Sequence, residues 1–350
     1  MGWDETDVRV KRAVVSAAVG VLLAGGGLGL KELAPGDRLA EACNGMLPVA
    51  DVLAATGITA TGLGGPALDL AGHEFDAAGG WEPDGLATTC RVNDLEVWID
   101  LATSTTAPWA FQGVPDSPLP VPLNAGWSGF LLPGDGDSGE RAVSVLVDCA
   151  DWHRRDGSGL KVTAVLDAID SGSPAAALAV ARVATGAAER AAERTGCASD
   201  LGGRIDTLDT AAATPAPVPA DRADGTCAGV TSHPRVRETA ARTAPVESCL
   251  LTGELVLRSY YGPYVTGDER FGYETPTGAL AYAVWGSAEC GGALDTAVYT
   301  LRPLSADDGP RSFTSEPPTG SEYGDLRHFA KASAERHGCS SPDFPAEPRA

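Results

Sequence analysis

The sequence predicts an α+β protein: an N-terminal transmembrane helix followed by two repeated, disulfide-stapled domains, each an antiparallel sheet with a closing helix. Three observations predict it. An uncharged apolar run near the N-terminus stands behind a cationic flank. The eight cysteines fall into two foursomes with matched surroundings. In each half, consecutive segments of alternating polarity precede one long helical stretch, and strands that follow one another without intervening helices argue against a parallel sheet.

Ala13 to Leu30 carries no charge over 18 residues, the lower limit for a helix that crosses a bilayer. Arg9, Lys11 and Arg12 precede it, which places the N-terminus in the cytoplasm and the bulk of the chain outside. The alternative is a signal peptide, with Val14 to Ala24 as its apolar region and small residues at Ala24, Gly25 and Gly26, secreted after cleavage. Either way the remainder is exported. The organisation that follows is a cytoplasmic tail at 1–12, a single span at 13–30, a juxtamembrane linker at 31–42, repeat 1 at 43–198, a linker at 199–226, repeat 2 at 227–340 and a tail at 341–350.

The first foursome is Cys43, Cys90, Cys149 and Cys197; the second is Cys227, Cys249, Cys290 and Cys339. A short entry helix is expected near Leu47 to Thr56 in one repeat or Arg235 to Thr243 in the other. The second cysteine of each foursome opens an alternating segment, Cys90 to Asp100 and Cys249 to Arg258, and both read as strands. Around the third cysteine lies a hairpin, Ala142–Cys149 with Leu160–Leu166 and Ala279–Trp285 with Ala293–Tyr299, so each sheet should have four or so strands. The fourth cysteine ends a helix, Glu193-Arg-Thr-Gly-Cys197 and Glu335-Arg-His-Gly-Cys339, the glycine marking its C-terminus. Ser173 followed by Pro174 suits the start of the first of these helices. Spacing agrees, with 48 residues from third to fourth cysteine in one half and 49 in the other, and Phe130 and Phe271 each 19 before the third. A duplicated domain explains all of this.

An even number of cysteines in an exported chain reads as four disulfides. Four cysteines per repeat allow three pairings. First with second and third with fourth is preferred, because a strand end and the end of the helix over it come within the ~6 Å between Cα atoms that a disulfide needs. Between the repeats Thr207 to Gly225 is rich in Pro and Ala and should be a semi-rigid extended linker.

A net charge of −21 excludes a chain that holds nucleic acid by its phosphates. No cofactor or metal motif is present: nothing has CxxC spacing, His73-Glu74 lacks a second histidine, and the Gly25-Gly26-Gly27 run lies inside the apolar segment. Gly136-Asp-Ser-Gly139 resembles the nucleophile motif of trypsin-like serine proteases, but Glu140 breaks it and no Ala-Ala-His-Cys segment precedes it, so a hairpin turn between Leu132 and Ala142 is the better reading. Aromatics after the first strand of each repeat, Trp109 and Trp127, then Tyr260, Tyr261 and Tyr264, are candidates for a recognition face, with core-filling from the hairpin strands the favoured explanation of the two.

The preference for Arg over Lys, the abundant Ala and Gly, the single N-terminal span and the Cys-bearing repeats resemble uncharacterised membrane-anchored extracytoplasmic proteins of actinobacteria with tandem Cys-paired domains. The repeats are also similar to small Cys-paired lipoprotein-type domains, although no cysteine ends the apolar run. The resemblance implies a setting and no activity. The expected function is a non-catalytic, membrane-tethered tandem binding module for an envelope protein or ligand. The alternative is an exported hydrolase working through carboxylates such as Glu74, Asp76 or Asp151.

Overall fold

The structure, a computed structural model, describes residues 39, 45–58, 70–74, 88–102, 118–134, 140–150, 152, 158–167, 173–252, 255–265, 277–280, 283–304 and 317–345. It is α+β, with two antiparallel sheets and three α-helices among the described residues. The first half contributes β1 (Leu70–Glu74), β2 (Thr88–Val92), β3 (Leu95–Leu101), β4 (Val121–Pro122), β5 (Gly129–Pro133), β6 (Arg141–Asp148) and β7 (Gly159–Leu166), in the order β1-β2-β3-β7-β6-β5-β4. The second contributes β8 (Val218–Pro219), β9 (Arg235–Glu238), β10 (Val246–Leu251), β11 (Leu255–Tyr261), β12 (Gly278–Leu280), β13 (Ala283–Glu289) and β14 (Thr296–Pro303), in the order β12-β13-β14-β11-β10-β9-β8. Strands β1, β2, β3, β7, β6 and β5 thus stand in the same order as β9, β10, β11, β14, β13 and β12.

Each sheet has seven strands rather than four. Part of the surplus arises because segments that read as one strand fold back on themselves, and the rest is β1, β4, β5, β8 and β9, which come from other stretches of the chain. Between Cys90 and Asp100 the chain turns at Asn93-Asp94, pairing Val92 with Leu95, and Asn93 takes the left-handed conformation (φ 53°) such a tight turn requires. The segment at Cys249 reverses after Leu251, pairing it with Leu255, and Leu280 pairs with Ala283 to split the next segment. The helix expected over Arg235 to Thr243 is instead β9. Its Arg-Val-Arg-Glu alternation buries Val236 while Arg235 and Arg237 stay exposed, a period of two that no helix satisfies.

The helices start and stop where the sequence signals do. Helix α1 (Val49–Thr56) ends at a left-handed Gly57. Helix α2 (Pro174–Thr195) is capped by the Ser173 side chain, which accepts the Ala176 N–H, and ends at a left-handed Gly196. Helix α3 (Gly320–His337) opens with a reciprocal capping box between Thr319 and Glu322 and ends at Gly338. Helix α2 lays an alanine-rich stripe, Ala177, Ala181, Ala184, Ala188 and Ala191, on the face of the first sheet made by Val143, Val145, Val162 and Ala164. Small side chains on that stripe let helix and sheet approach closely. Helix α3 covers the second sheet with Leu326, Phe329 and Ala330 over Leu257, Tyr261 and Tyr299.

Three disulfides follow the preferred pairing: Cys149–Cys197, Cys227–Cys249 and Cys290–Cys339, with Cα separations of 5.0, 5.1 and 4.2 Å. Cys90 is disulfide-bonded as well, and its expected partner Cys43 lies outside the described residues. Crosslinks of this kind form and persist in oxidising, extracytoplasmic compartments. The expected span, Ala13 to Leu30, also lies outside the described residues; among those that are described, no helix is long and apolar enough to cross a membrane.

The faces that the helices leave bare meet each other. Phe130, Leu132, Ala142, Leu146 and Val165 of the first half form one buried cluster with Val246, Tyr260, Tyr264 and Ala293 of the second. A smaller cluster joins Leu119 to Leu250 and Val256. The resulting layers run helix, sheet, sheet, helix. The Pro- and Ala-rich stretch between the halves is extended as composition suggests, yet it is strapped down along its length. Arg182 Nε–H donates to the Ile205 carbonyl (2.7 Å) and Leu119 N–H to that of Ala213 (2.7 Å). Val218 and Pro219 form an edge strand on β9, and the Glu238 carboxylate accepts the N–H groups of Asp224, Gly225 and Cys227.

Candidate functional site at the junction of the halves

Of the aromatics expected on a recognition face, Trp109 lies outside the described residues and the other four are buried, between 0% and 5% exposed. The placement of these four is that of core-filling residues and not of an open aromatic face. Tyr260 and Tyr261 are the last two residues of β11, not part of a loop, so the pleat sends them to opposite faces. Tyr260 enters the seam between the sheets and Tyr261 the core beneath α3. Tyr264 packs edge-on against Phe130 (5.3 Å between ring centroids), and its hydroxyl shares a hydrogen bond of 2.5 Å with Ser144, which is in turn bonded to Thr163. Trp127 precedes β5 and donates its indole N–H to the Gly203 carbonyl (2.7 Å). The carboxylates of the hydrolase alternative are not brought together by any described geometry: Glu74 lies on β1, and Asp76 and Asp151 fall outside the described residues.

The seam is not wholly apolar. Lys161 on β7 is paired in register with Asp100 on β3, Nζ standing 3.8 Å from the carboxylate, and the amine is 1% exposed. Burial pushes the Asp100 carboxyl up and the Lys161 amine down, each opposed by the charge of the other. On the facing sheet Arg258, fully buried, donates Nε–H to Ser248 Oγ (2.9 Å).

A second polar group fills the space between α3 and its sheet. The buried Glu247 carboxylate takes Nε–H and Nη2–H of Arg336 (3.0 and 2.8 Å) and the hydroxyl of Ser333 (2.7 Å). Ser333 Oγ also lies 2.6 Å from the Tyr261 hydroxyl, which stands 3.4 Å from that of Tyr299. Burial first, then the nearby Tyr299 and Glu247, push the Tyr261 phenol up; burial pushes Tyr299 up to about 12. Burial works against the Arg336 charge, but the bonds to Glu247 outweigh it and hold the guanidinium more firmly protonated. His337 stacks on Tyr261 with ring centres 4.0 Å apart, its two ring nitrogens facing the carbonyl oxygens of Ser333 and Ala244 at 2.9 and 3.0 Å.

Where this group reaches the seam there is a cleft of about 220 Å³. Trp127, Leu146 and Asp148 of the first half line it, together with the Ser199–Gly202 turn that follows α2, and Ala293, Arg336 and His337 of the second half complete it. Asp148 holds the halves together at its edge, accepting the Ala293 N–H on Oδ1 (3.0 Å). The sequence does not announce these residues. Arg336 stands in the repeated Glu-Arg-x-Gly-Cys helix end and Asp148 beside Cys149, but nothing in the sequence says that Arg336 meets the two acids, which it does only because two sheets pack face to face. Among the described residues no group of three or more His, Cys, Asp or Glu is placed to hold a metal ion. No family model, curated protein or solved structure matches the chain. What fold and site define together is therefore a class by architecture, a disulfide-stapled α+β double sheet with a mixed-charge cleft at its junction.

Proposed function

We propose that this chain is a non-catalytic, membrane-tethered extracytoplasmic binding module. In this reading Ala13 to Leu30 is its single span, the N-terminus is cytoplasmic, and the ligand comes from the cell envelope. The secreted form left by signal cleavage is the alternative for its attachment. The observation that carries the reading is the junction cleft, whose walls come from both halves, each crosslinked within itself. A rigid, preformed cleft loses little entropy on binding, which is what a binding module requires.

The test is hydrogen exchange on the oxidised full-length chain with and without an envelope extract. The reading expects slower exchange at 126–128 and 199–202 of the first half together with 293–294 of the second. An extract that slows exchange at none of these positions contradicts it.

A further inference from the structure

Arg336 is engaged on one edge only. A guanidinium has five N–H donors in a planar fork. The edge made by Nε and Nη2 is taken by Glu247, which is itself 2% exposed and held by Ser333. Nη1 makes no hydrogen bond among the described residues, and the side chain is 23% exposed where it lines the junction cleft. The group is thus clamped from the core side with its second edge, Nη1–H beside the remaining Nη2–H, left for something else. A planar carboxylate is the acceptor that matches such an edge bidentately.

The same cleft is lined by two acids. Asp148 spends Oδ1 on the Ala293 N–H, while Oδ2 accepts no hydrogen bond among the described residues. Asp200, exposed in the turn after α2, is also on the wall. A ligand carrying only a carboxylate meets Arg336 but is repelled by these acids, and a ligand carrying only an amine meets the acids but leaves the Arg336 edge unfilled. A molecule with both charges satisfies both. Size narrows the choice further, because about 220 Å³ lies below the ~300–1,000 Å³ typical of clefts for drug-sized ligands. The remaining wall, Trp127, Leu146 and Leu201, suits an apolar side chain.

We propose that the junction cleft binds a small zwitterion, a free α-amino acid or a dipeptide, with its carboxylate on the outer edge of Arg336 and its ammonium group at Asp148 and Asp200. This rests on the reading of the cleft as the binding site and names the ligand class for it. His337 is part of the wall and not of the recognition, since both its ring nitrogens already face backbone carbonyls.

The experiment is a titration of the oxidised full-length chain, followed by the amide resonances of Gly202 and Ala293 and the indole of Trp127. The probes are leucine, leucyl-alanine, N-acetylleucine, which lacks the cation, leucinamide, which lacks the carboxylate, and inorganic phosphate. Leucine or the dipeptide is expected to move the cleft resonances, with each singly blocked form binding at least about tenfold more weakly, the factor worth one charge-assisted contact. The double variant Asp148→Asn with Asp200→Asn, at exposed positions, is expected to weaken leucine by a similar factor and to strengthen N-acetylleucine, whose carboxylate the two acids repel. Arg336→Lys keeps a charge for Glu247 but removes the fork, and is expected to weaken leucine and N-acetylleucine alike. Equal binding of leucine and its blocked forms, or phosphate as the tightest probe, overturns the zwitterion while leaving the cleft as a binding site. Cleft shifts with an envelope extract but with none of the probes at about 10 mM do the same. Shifts with neither remove both readings.

Discussion

At the scale of single residues, the energetic centre of the second half is Glu247. Its carboxylate is buried and accepts from Arg336 twice and from Ser333 once, so it is a compensated charge in a low-dielectric site. Removing one partner of such a pair leaves the other uncompensated, which costs far more than the pair itself contributes. Glu247→Ala is therefore expected to lower unfolding free energy by about 3–4 kcal/mol in urea titrations, a range typical of broken buried pairs. The neighbouring phenols give the alkaline limb of stability a shape. Burial raises Tyr299 from 10 to about 12, so its contribution is complete below pH 10 and is lost as pH rises through 12. The urea midpoint is expected to fall across that window, and to fall less in Tyr299→Phe. An unchanged slope in the variant contradicts the buried-phenol account.

At the scale of elements, the helices and crosslinks were the most legible part of the chain. Ser173-Pro174 and the Gly-Cys pairs at 196–197 and 338–339 mark helix ends by local chemistry, and local chemistry is what sequence carries. The cysteine pairing was legible for a related reason, since a helix folded back over its own hairpin brings its end to that hairpin's strand. Strand counts were harder. Asn93-Asp94 is a two-residue turn hidden inside an alternation that continues on both sides of it, and β9 is too short for its period to stand out. The choice between a recognition face and core-filling was not legible for a subtler reason. Tyr261 extends the alternation Leu255, Leu257, Ser259 and Tyr260 that of Val256 and Arg258, and nothing local says that the face Tyr260 takes is covered by another sheet. The crosslinks themselves carry a prediction. Cys290 and Cys339 close a loop of 49 residues, for which the restriction of the unfolded chain is worth about 4 kcal/mol. Replacing both by Ser is expected to remove about that much stability, read from denaturant unfolding.

At the scale of the whole molecule, the net charge of −21 and the Pro- and Ala-rich stretch between repeats suggest two self-repelling beads on a semi-rigid tether. The structure replaces that picture with a single four-layer body. Its seam buries Phe130, Leu146, Tyr260 and Tyr264, the intervening chain is fastened to both halves, and the cleft exists only where the halves meet. Tyr264 reaches across to Phe130 and Ser144, and Tyr264→Ala is expected to cost about 3–5 kcal/mol, the usual cost of deleting a large buried aromatic. The most direct test of the central claim, that the halves form one body enclosing a binding cleft, is scanning calorimetry of the oxidised full-length chain. One cooperative transition is expected, with calorimetric and van't Hoff enthalpies in agreement, and Tyr264→Ala should lower its midpoint or split it. Two separate transitions in the wild-type chain, with Tyr264→Ala shifting neither, would contradict the account.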